Sequence, residues 1–316
     1  MLSPMRRLLL GALPLCLATA AAAGPAGPGP APILGGTTTT VGQYPTVVAL
    51  TVGGGICTGT LIHRDWVLTA AHCISPSVVQ LPSQEAVTQN LRVFFGTVNL
   101  LQSQGEVRTA ALTIPKAGFS LANLGQHDIG LIKLAQPVTN VAPTRVNLDP
   151  ARAPVGTTVT MVGFGATGLG GTGDVGIELV LAGRTSTSCA PYALSDANLL
   201  CFAQTDGKGK CRGDSGGPSF AEIDGVPTVV GVTSFGDQDC AQLGADTRTD
   251  VERAFLEEHI PSLAGCDGDE DCPDRACFEG RCIALDQRRT NISVGGPCRF
   301  RHAAAVGPKR PARHAA

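Results

Sequence analysis

The chain has 316 residues, enough for one large domain with extras or for two modest ones. Aromatic residues make up only 4% while Gly (40) and Pro (22) abound, a balance that suits short strands joined by turns and argues against a helical bundle. A formal net charge of -2 gives no reason to expect nucleic acid or an anionic membrane as partner.

Arg6 and Arg7 precede an apolar run from Leu8 to Ala18, and Ala20 to Ala23 supply small residues for cleavage. This is the plan of a secretory signal peptide over residues 1–23. The run falls short of the roughly 20 residues a bilayer span needs, so no membrane span is expected. Cys16 leaves with the signal, so 12 cysteines become 11, an odd number for an exported chain in an oxidising compartment. Residues 24–32, Gly-Pro-Ala-Gly-Pro-Gly-Pro-Ala-Pro, read as an exposed linker.

From Ile33 onward the pattern becomes short runs rich in Val, Leu, Ile and Thr: Thr46–Val52, Trp66–Thr69, Leu91–Phe95, Ile129–Leu134, Thr157–Val162 and Thr228–Val232. Clusters of Gly, Pro, Asn or Asp separate them, which predicts an all-β domain. Asp250–Ile260 differs. Asp250 is a candidate N-cap, and Val251, Phe255 and Leu256 recur at helical spacing, so one short closing helix is expected. After Ala264, Cys266, Cys272, Cys277, Cys282 and Cys298 sit in a segment too poor in large apolar residues to build a core. Residues 264–298 are therefore expected as a small module held by disulfides, serving as an anchor or only as a spacer. Its acidic residues Asp267, Asp269, Glu270, Asp271 and Asp274 lack the spacing of a calcium loop and read as a solvated face. Residues 299–316 are expected to be disordered, and Asn291-Ile292-Ser293 has the glycosylation pattern. Usage rich in Ala, Gly and Arg points to a GC-rich bacterial source.

Three separated motifs carry chemistry. They are Trp66-Val67-Leu68-Thr69-Ala70-Ala71-His72-Cys73, His127-Asp128-Ile129-Gly130-Leu131-Ile132-Lys133-Leu134, and Cys211-Arg212-Gly213-Asp214-Ser215-Gly216-Gly217-Pro218. A serine hydroxyl is a poor nucleophile at neutral pH unless a neighbouring base accepts its proton. An imidazole suits that role, and a carboxylate on its other nitrogen fixes the tautomer and stabilises the imidazolium. Glycines beside the serine let backbone N–H groups approach a developing oxyanion, worth about 3 kcal/mol per donor. His72, Asp128 and Ser215, with the backbone of Gly213 and Ser215, fill every role.

With these residues in the order His, Asp, Ser, the chain resembles a trypsin/chymotrypsin-type serine protease from Ile33 to about Ile260. The resemblance implies two packed six-stranded antiparallel β-barrels with a short C-terminal helix, the site lying between them, and a protease domain over residues 33–263. It implies the disulfides Cys57–Cys73, Cys189–Cys201 and Cys211–Cys240, leaving the odd thiol in the tail. Ile33-Leu34-Gly35-Gly36 looks like the family's mature N-terminus, whose freed amine pairs with the carboxylate before the nucleophile, here Asp214. The chain is then a zymogen with residues 24–32 as propeptide, and Pro32 before the cut departs from the usual Arg or Lys.

The base of the family's specificity pocket falls on Gly209, where an Asp would select Arg or Lys. Lys208 and Lys210 flank it, either favouring acidic side chains or simply solvated. The walls fall on Thr233, Ser234, Phe235 and Gly236 and on the segment near Gly244, with Asp246 a candidate for restoring some basic preference. An open pocket taking apolar or mixed side chains is favoured. His63, His127 and His259 have no metal-ligand arrangement, and Thr97 follows Gly96 where the family's calcium loop has Glu, so neither metal nor cofactor is expected. The implied partners are protein or peptide substrates and an activating protease, in a secreted, periplasmic or surface-associated setting. A catalytically silent homologue that binds partners is the competing reading.

Overall fold

A computed structural model of the chain describes residues 32–102, 105–166, 180–264, 276–278 and 281–283. Residues 1–23, read as a signal peptide, nearly all of the segment read as a linker, the acidic cluster, the glycosylation pattern and residues 299–316 lie outside the described residues. So do Cys266, Cys272 and Cys298.

The first half forms a closed antiparallel barrel. Val47–Val52 pairs with Gly55–His63, followed by Trp66–Thr69, Gly130–Leu134, Glu106–Pro115 and Arg92–Phe95, which returns to the first strand. The tight first hairpin follows from Gly53 and Gly54, whose φ angles of 58° and 80° match a two-residue turn that twists with its strands. Asp224-Gly225, with φ 54° and 73°, does the same between Pro218–Ile223 and Val226–Gly236.

The second half is an eight-stranded sheet in the order Thr37–Thr38, Val180–Thr185, Thr158–Gly163, Pro218–Ile223, Val226–Gly236, Leu243–Arg248, Leu199–Ala203, with Arg145–Val146 paired to Val226–Gly236. Unlike the closed barrel expected, it stays open between Val180–Thr185 and Leu199–Ala203, which a lone Thr187–Cys201 bridge connects. Beyond Thr185 the Thr187 amide donates to the Cys201 carbonyl at 2.7 Å, and the chain then leaves the sheet for the short 3-10 segment Ala190–Tyr192.

One apolar cluster runs through the first barrel and on to Val162, Phe164, Phe220, Val232 and Phe255 of the second half, so the two halves share a core. A second cluster gathers Ile33, Val159, Met161, Phe202 and Val230. Leu50 has no exposed surface at the heart of the barrel. Leu50→Ala is expected to lower stability by about 2–5 kcal/mol, read as a shifted urea midpoint with unchanged slope.

The closing helix is Arg253–His259, shorter than expected, with Glu252 rather than Asp250 at its N-cap position and no side chain capping it. Asp250 instead binds Arg248, its Oδ2 accepting from Nη2 at 2.9 Å. Phe255 and Leu256 are buried, but Val251 precedes the helix and is exposed. His259 stacks near Trp66 at 6.2 Å between ring centroids, so the helix returns to the first barrel. Sequence patterning did not single out the helix Gln84–Asn90, whose N-cap Ser83 accepts from the Ala86 amide at 3.1 Å. Among the described residues no helix is long and apolar enough to cross a membrane.

Candidate active site

Strand pairing brings His72 and Asp128 together. Trp66–Thr69 runs antiparallel to Gly130–Leu134 with Thr69 opposite Gly130, so the residues after Thr69 and those before Gly130 emerge at one end of the barrel. Ala71–Ile74 is a single helical turn that carries His72, and the Cys57–Cys73 disulfide ties it to the strand Gly55–His63. A cross-link closing a loop of that size stabilises by roughly 3 kcal/mol. The fully buried Asp128 carboxylate accepts from the His72 backbone N–H through Oδ1 at 2.9 Å and meets Nδ1 through Oδ2 at 2.8 Å. Nδ1 therefore carries the proton, and Nε2 is left as the acceptor.

Ser234, assigned to the pocket wall from sequence, bonds the same carboxylate: its hydroxyl donates to Asp128 Oδ2 at 2.5 Å. The strand register breaks between Thr233 and Phe235, and a bulge of this kind re-aims a side chain. Thr247 adds a hydrogen bond from its hydroxyl to the Asp128 carbonyl at 3.0 Å.

Ser215 lies on the turn before Pro218–Ile223, half-buried, with its carbonyl oxygen 3.6 Å from Sγ of Cys73. Thr58 holds this turn from the other barrel, a role with no local signal in the sequence. Its amide donates to the Ser215 carbonyl at 2.8 Å and its hydroxyl to the Gly213 carbonyl at 2.9 Å. Gly216, at φ 79°, is required by close approach: a Cβ there would strike the Thr69 hydroxyl and the Thr58 carbonyl. The amides of Asp214, Gly216 and Gly217 donate to the carbonyls of Cys211, Thr233 and Asp214. Those of Gly213 and Ser215 have no acceptor among the described residues.

Behind the turn, Asp214 is buried with Oδ1 accepting from the Gly165 amide at 2.9 Å and Oδ2 from the Cys211 amide at 2.8 Å. A Cβ at Gly163 or Gly165 would collide with this carboxylate. Burial pushes the Asp214 carboxyl up to about 7, against the pull of those amides and of Lys210. Ile33 is also buried, in the apolar cluster of the second half, and its φ of 34° is unusual for a β-branched residue. Among the described residues Asp214 makes no ion pair.

The two lysines beside Gly209 part company, one solvated and the other in neither expected setting. Lys208 is exposed, but Lys210 is buried and its Nζ bonds Asp246 Oδ1 and, at 2.9 Å, the Ser219 hydroxyl. Desolvation holds the Lys210 ammonium below the ordinary lysine range, while Asp246 pulls the other way. Gln204, unremarked in the sequence, fills the space that Gly209 and Gly244 leave by having no Cβ. Its amide nitrogen donates to the Lys210 and Cys240 carbonyls at 3.1 Å each, and its oxygen accepts from the Lys210 amide at 2.7 Å. Phe235 and Gly236 pair with Ala245 and Gly244 beside it.

Cys57–Cys73, Cys189–Cys201 and Cys211–Cys240 are all bonded as the resemblance implies. Cys57, His72 and Cys73 crowd together in the manner of metal ligands, but both sulfurs are in the disulfide and have no thiolate to offer. His127 binds Glu252 at 2.7 Å and His259 packs edge-on to Phe255 at 5.1 Å, which accounts for both. In the tail, Cys277 and Cys282 stand opposite each other on a two-stranded ladder.

A closed β-barrel joined to a second β-sheet, with a bonded His–Asp pair and a glycine-flanked serine at their junction, defines a fold of the serine-protease class. Residues 33–254 match the family described as Trypsin, and the chain belongs to that family of serine proteases. It is 29% identical over 221 residues to the hepatocyte growth factor activator serine protease of Homo sapiens, and 30% identical over 221 residues to that of Canis lupus familiaris. Each match covers 65% of this chain but only 32% and 33% of those relatives, so the chain spans about a third of their length. Serine protease SP24D of Anopheles gambiae is 31% identical over 210 residues, covering 64% of this chain and 71% of the relative. These relatives are animal proteins and lend no support to a bacterial source.

Proposed function

We propose that the chain is a secreted serine endopeptidase that hydrolyses peptide bonds through an acyl-enzyme on Ser215. His72 takes the Ser215 proton as Oγ bonds to the scissile carbonyl carbon, and the oxyanion accepts from the amides of Gly213 and Ser215. Collapse of the adduct breaks the C–N bond, and His72 returns its proton to the departing amine. Water then repeats the sequence on the ester. Asp128 keeps Nδ1 protonated throughout and stabilises the imidazolium.

The observation that carries this reading is the Asp128 carboxylate bonded twice to His72, at 2.9 and 2.8 Å, on the barrel end that meets the Ser215 turn. The unengaged amides of Gly213 and Ser215 support the oxyanion role. We assign residues 1–23 to export, with which the three disulfides agree. Residues 24–32 are a propeptide removed by a protease able to cut after Pro32, residues 33–263 the protease, and 264–298 an appended module. The freed Ile33 amine then pairs with Asp214. A serine-directed fluorophosphonate is expected to label the chain beginning at Ile33 on Ser215. A folded, unlabelled protein would favour the silent homologue.

A further inference from the structure

We propose that His127 and Glu252 are a positioning pair that holds Asp128 in place against His72, tying the closing helix to the rate of the reaction; the assignment rests on the roles given above to His72, Asp128 and Ser215. His127 immediately precedes Asp128, and its φ of 60° lies in the left-handed region, which strains a residue other than glycine. The Ile129 amide donates to the His127 carbonyl at 2.8 Å, so Asp128 is the central residue of a three-residue turn. A strained turn persists only where its surroundings hold it.

The ring of His127 supplies that hold. Its Nδ1 meets Oε1 of Glu252, 125 residues further along the chain, at 2.7 Å. An ionised carboxylate only accepts, so Nδ1 is the donor. The other edge of the ring is seated on Gly118, where a Cβ would stand 3.3 Å from Cδ2. The Glu252 side chain is 7% exposed and occupies the N-cap position of Arg253–His259, yet it makes no bond to its own helix. Nor do the nearby cations claim it, for Arg248 is bound to Asp250 and Arg253 to Glu257. A carboxylate so buried needs a bonded partner, and His127 is that partner. Thr247, from the same segment, donates to the Asp128 carbonyl, so the backbone is pinned both at Asp128 and at the residue before it. The two bonds from Asp128 to His72 inherit their geometry from this frame, and a shift of about 1 Å in such a group costs on the order of 10²-fold in rate.

The experiment is steady-state hydrolysis of a peptide ester by the full exported chain cut before Ile33. His127→Ala and Glu252→Ala are each expected to lower kcat by about tenfold or more while KM stays within about twofold. The double variant H127A/E252A should lose no more than either, because the two act as a unit. His127→Asn is expected to regain most of the loss, since its Nδ2 stands where Nδ1 stood and asparagine tolerates a positive φ. In an Asp128→Asn background, His127→Ala should change kcat by less than about twofold, because the carboxylate it positions is gone. A merely structural pair would lower the melting temperature with kcat unchanged, or lower kcat equally in both backgrounds. Either result overturns the proposal, as does a folded His127→Asn protein no faster than His127→Ala. Should His127→Ala fail to fold with Glu252 unpartnered, Glu252→Ala and the double variant, free of that charge, give the same comparison. A folded wild type that fluorophosphonate does not label overturns instead the protease reading beneath it.

Discussion

Ser215→Ala or His72→Ala, in the chain starting at Ile33, is expected to lower kcat by about 10⁶-fold, and Asp128→Asn by about 10⁴-fold. The first two remove the attacking atom and the base that accepts its proton. The third leaves the shape intact but replaces an acceptor by an amide that can donate to Nδ1, turning the imidazole to the wrong tautomer. Hydrolysis of a peptide ester or amide measures the loss, and a thermal melt shows that each variant is folded. The effects should not add: once the serine is gone, removing the histidine leaves little more to lose. A Ser215→Ala chain that retains a hundredth of wild-type turnover would exclude the acyl-enzyme.

Cutting before Ile33 is expected to raise activity about 10²–10⁴-fold, the equivalent of the 3–5 kcal/mol at stake when one partner of a buried pair is missing. Asp214→Asn should cancel that gain in the cut chain. The pH dependence of stability should change with it. In the uncut chain burial holds the Asp214 carboxyl at about 7, well above its ordinary value of 3.8. Between those pH values the folded state binds more protons than the unfolded one, so stability falls as pH rises from about 4 through 7 and levels off above. The loss is on the order of a few kcal/mol. The freed ammonium offsets the charge on Asp214, so the cut chain should lose most of this slope. Urea unfolding of Ser215→Ala protein at pH 5.5 and 8, cut and uncut, checks the sign. Equal slopes in the two forms would separate Asp214 from Ile33.

Much of the fold and of the candidate site was legible along the chain because local rules govern it. Gly53-Gly54 and Asp224-Gly225 supply the positive φ angles that two-residue turns need, a local property of residues of the kind that separate the apolar runs. His72, Asp128 and Ser215 stood out because each lies in a run whose neighbours have fixed local roles, with a strand leading to the histidine, a strand following the aspartate and glycines flanking the serine. The helix boundary was less legible, since Asp250 had a competing partner in Arg248 that no spacing rule reveals.

Long-range approach decided the remainder. Ser234 turns toward Asp128 through a register break with a distant strand, and Thr58 reaches Ser215 and Gly213 from the other barrel. Lys210 and Asp246 are 36 residues apart, and an alternating or periodic pattern cannot tell a solvated lysine from one buried against a carboxylate. Sequence by itself determined the chemistry available, because nucleophile, base and carboxylate are properties of side chains and their neighbours. Only the tertiary structure decided which charges are compensated, because desolvation and Coulomb attraction act across space and take no account of order along the chain.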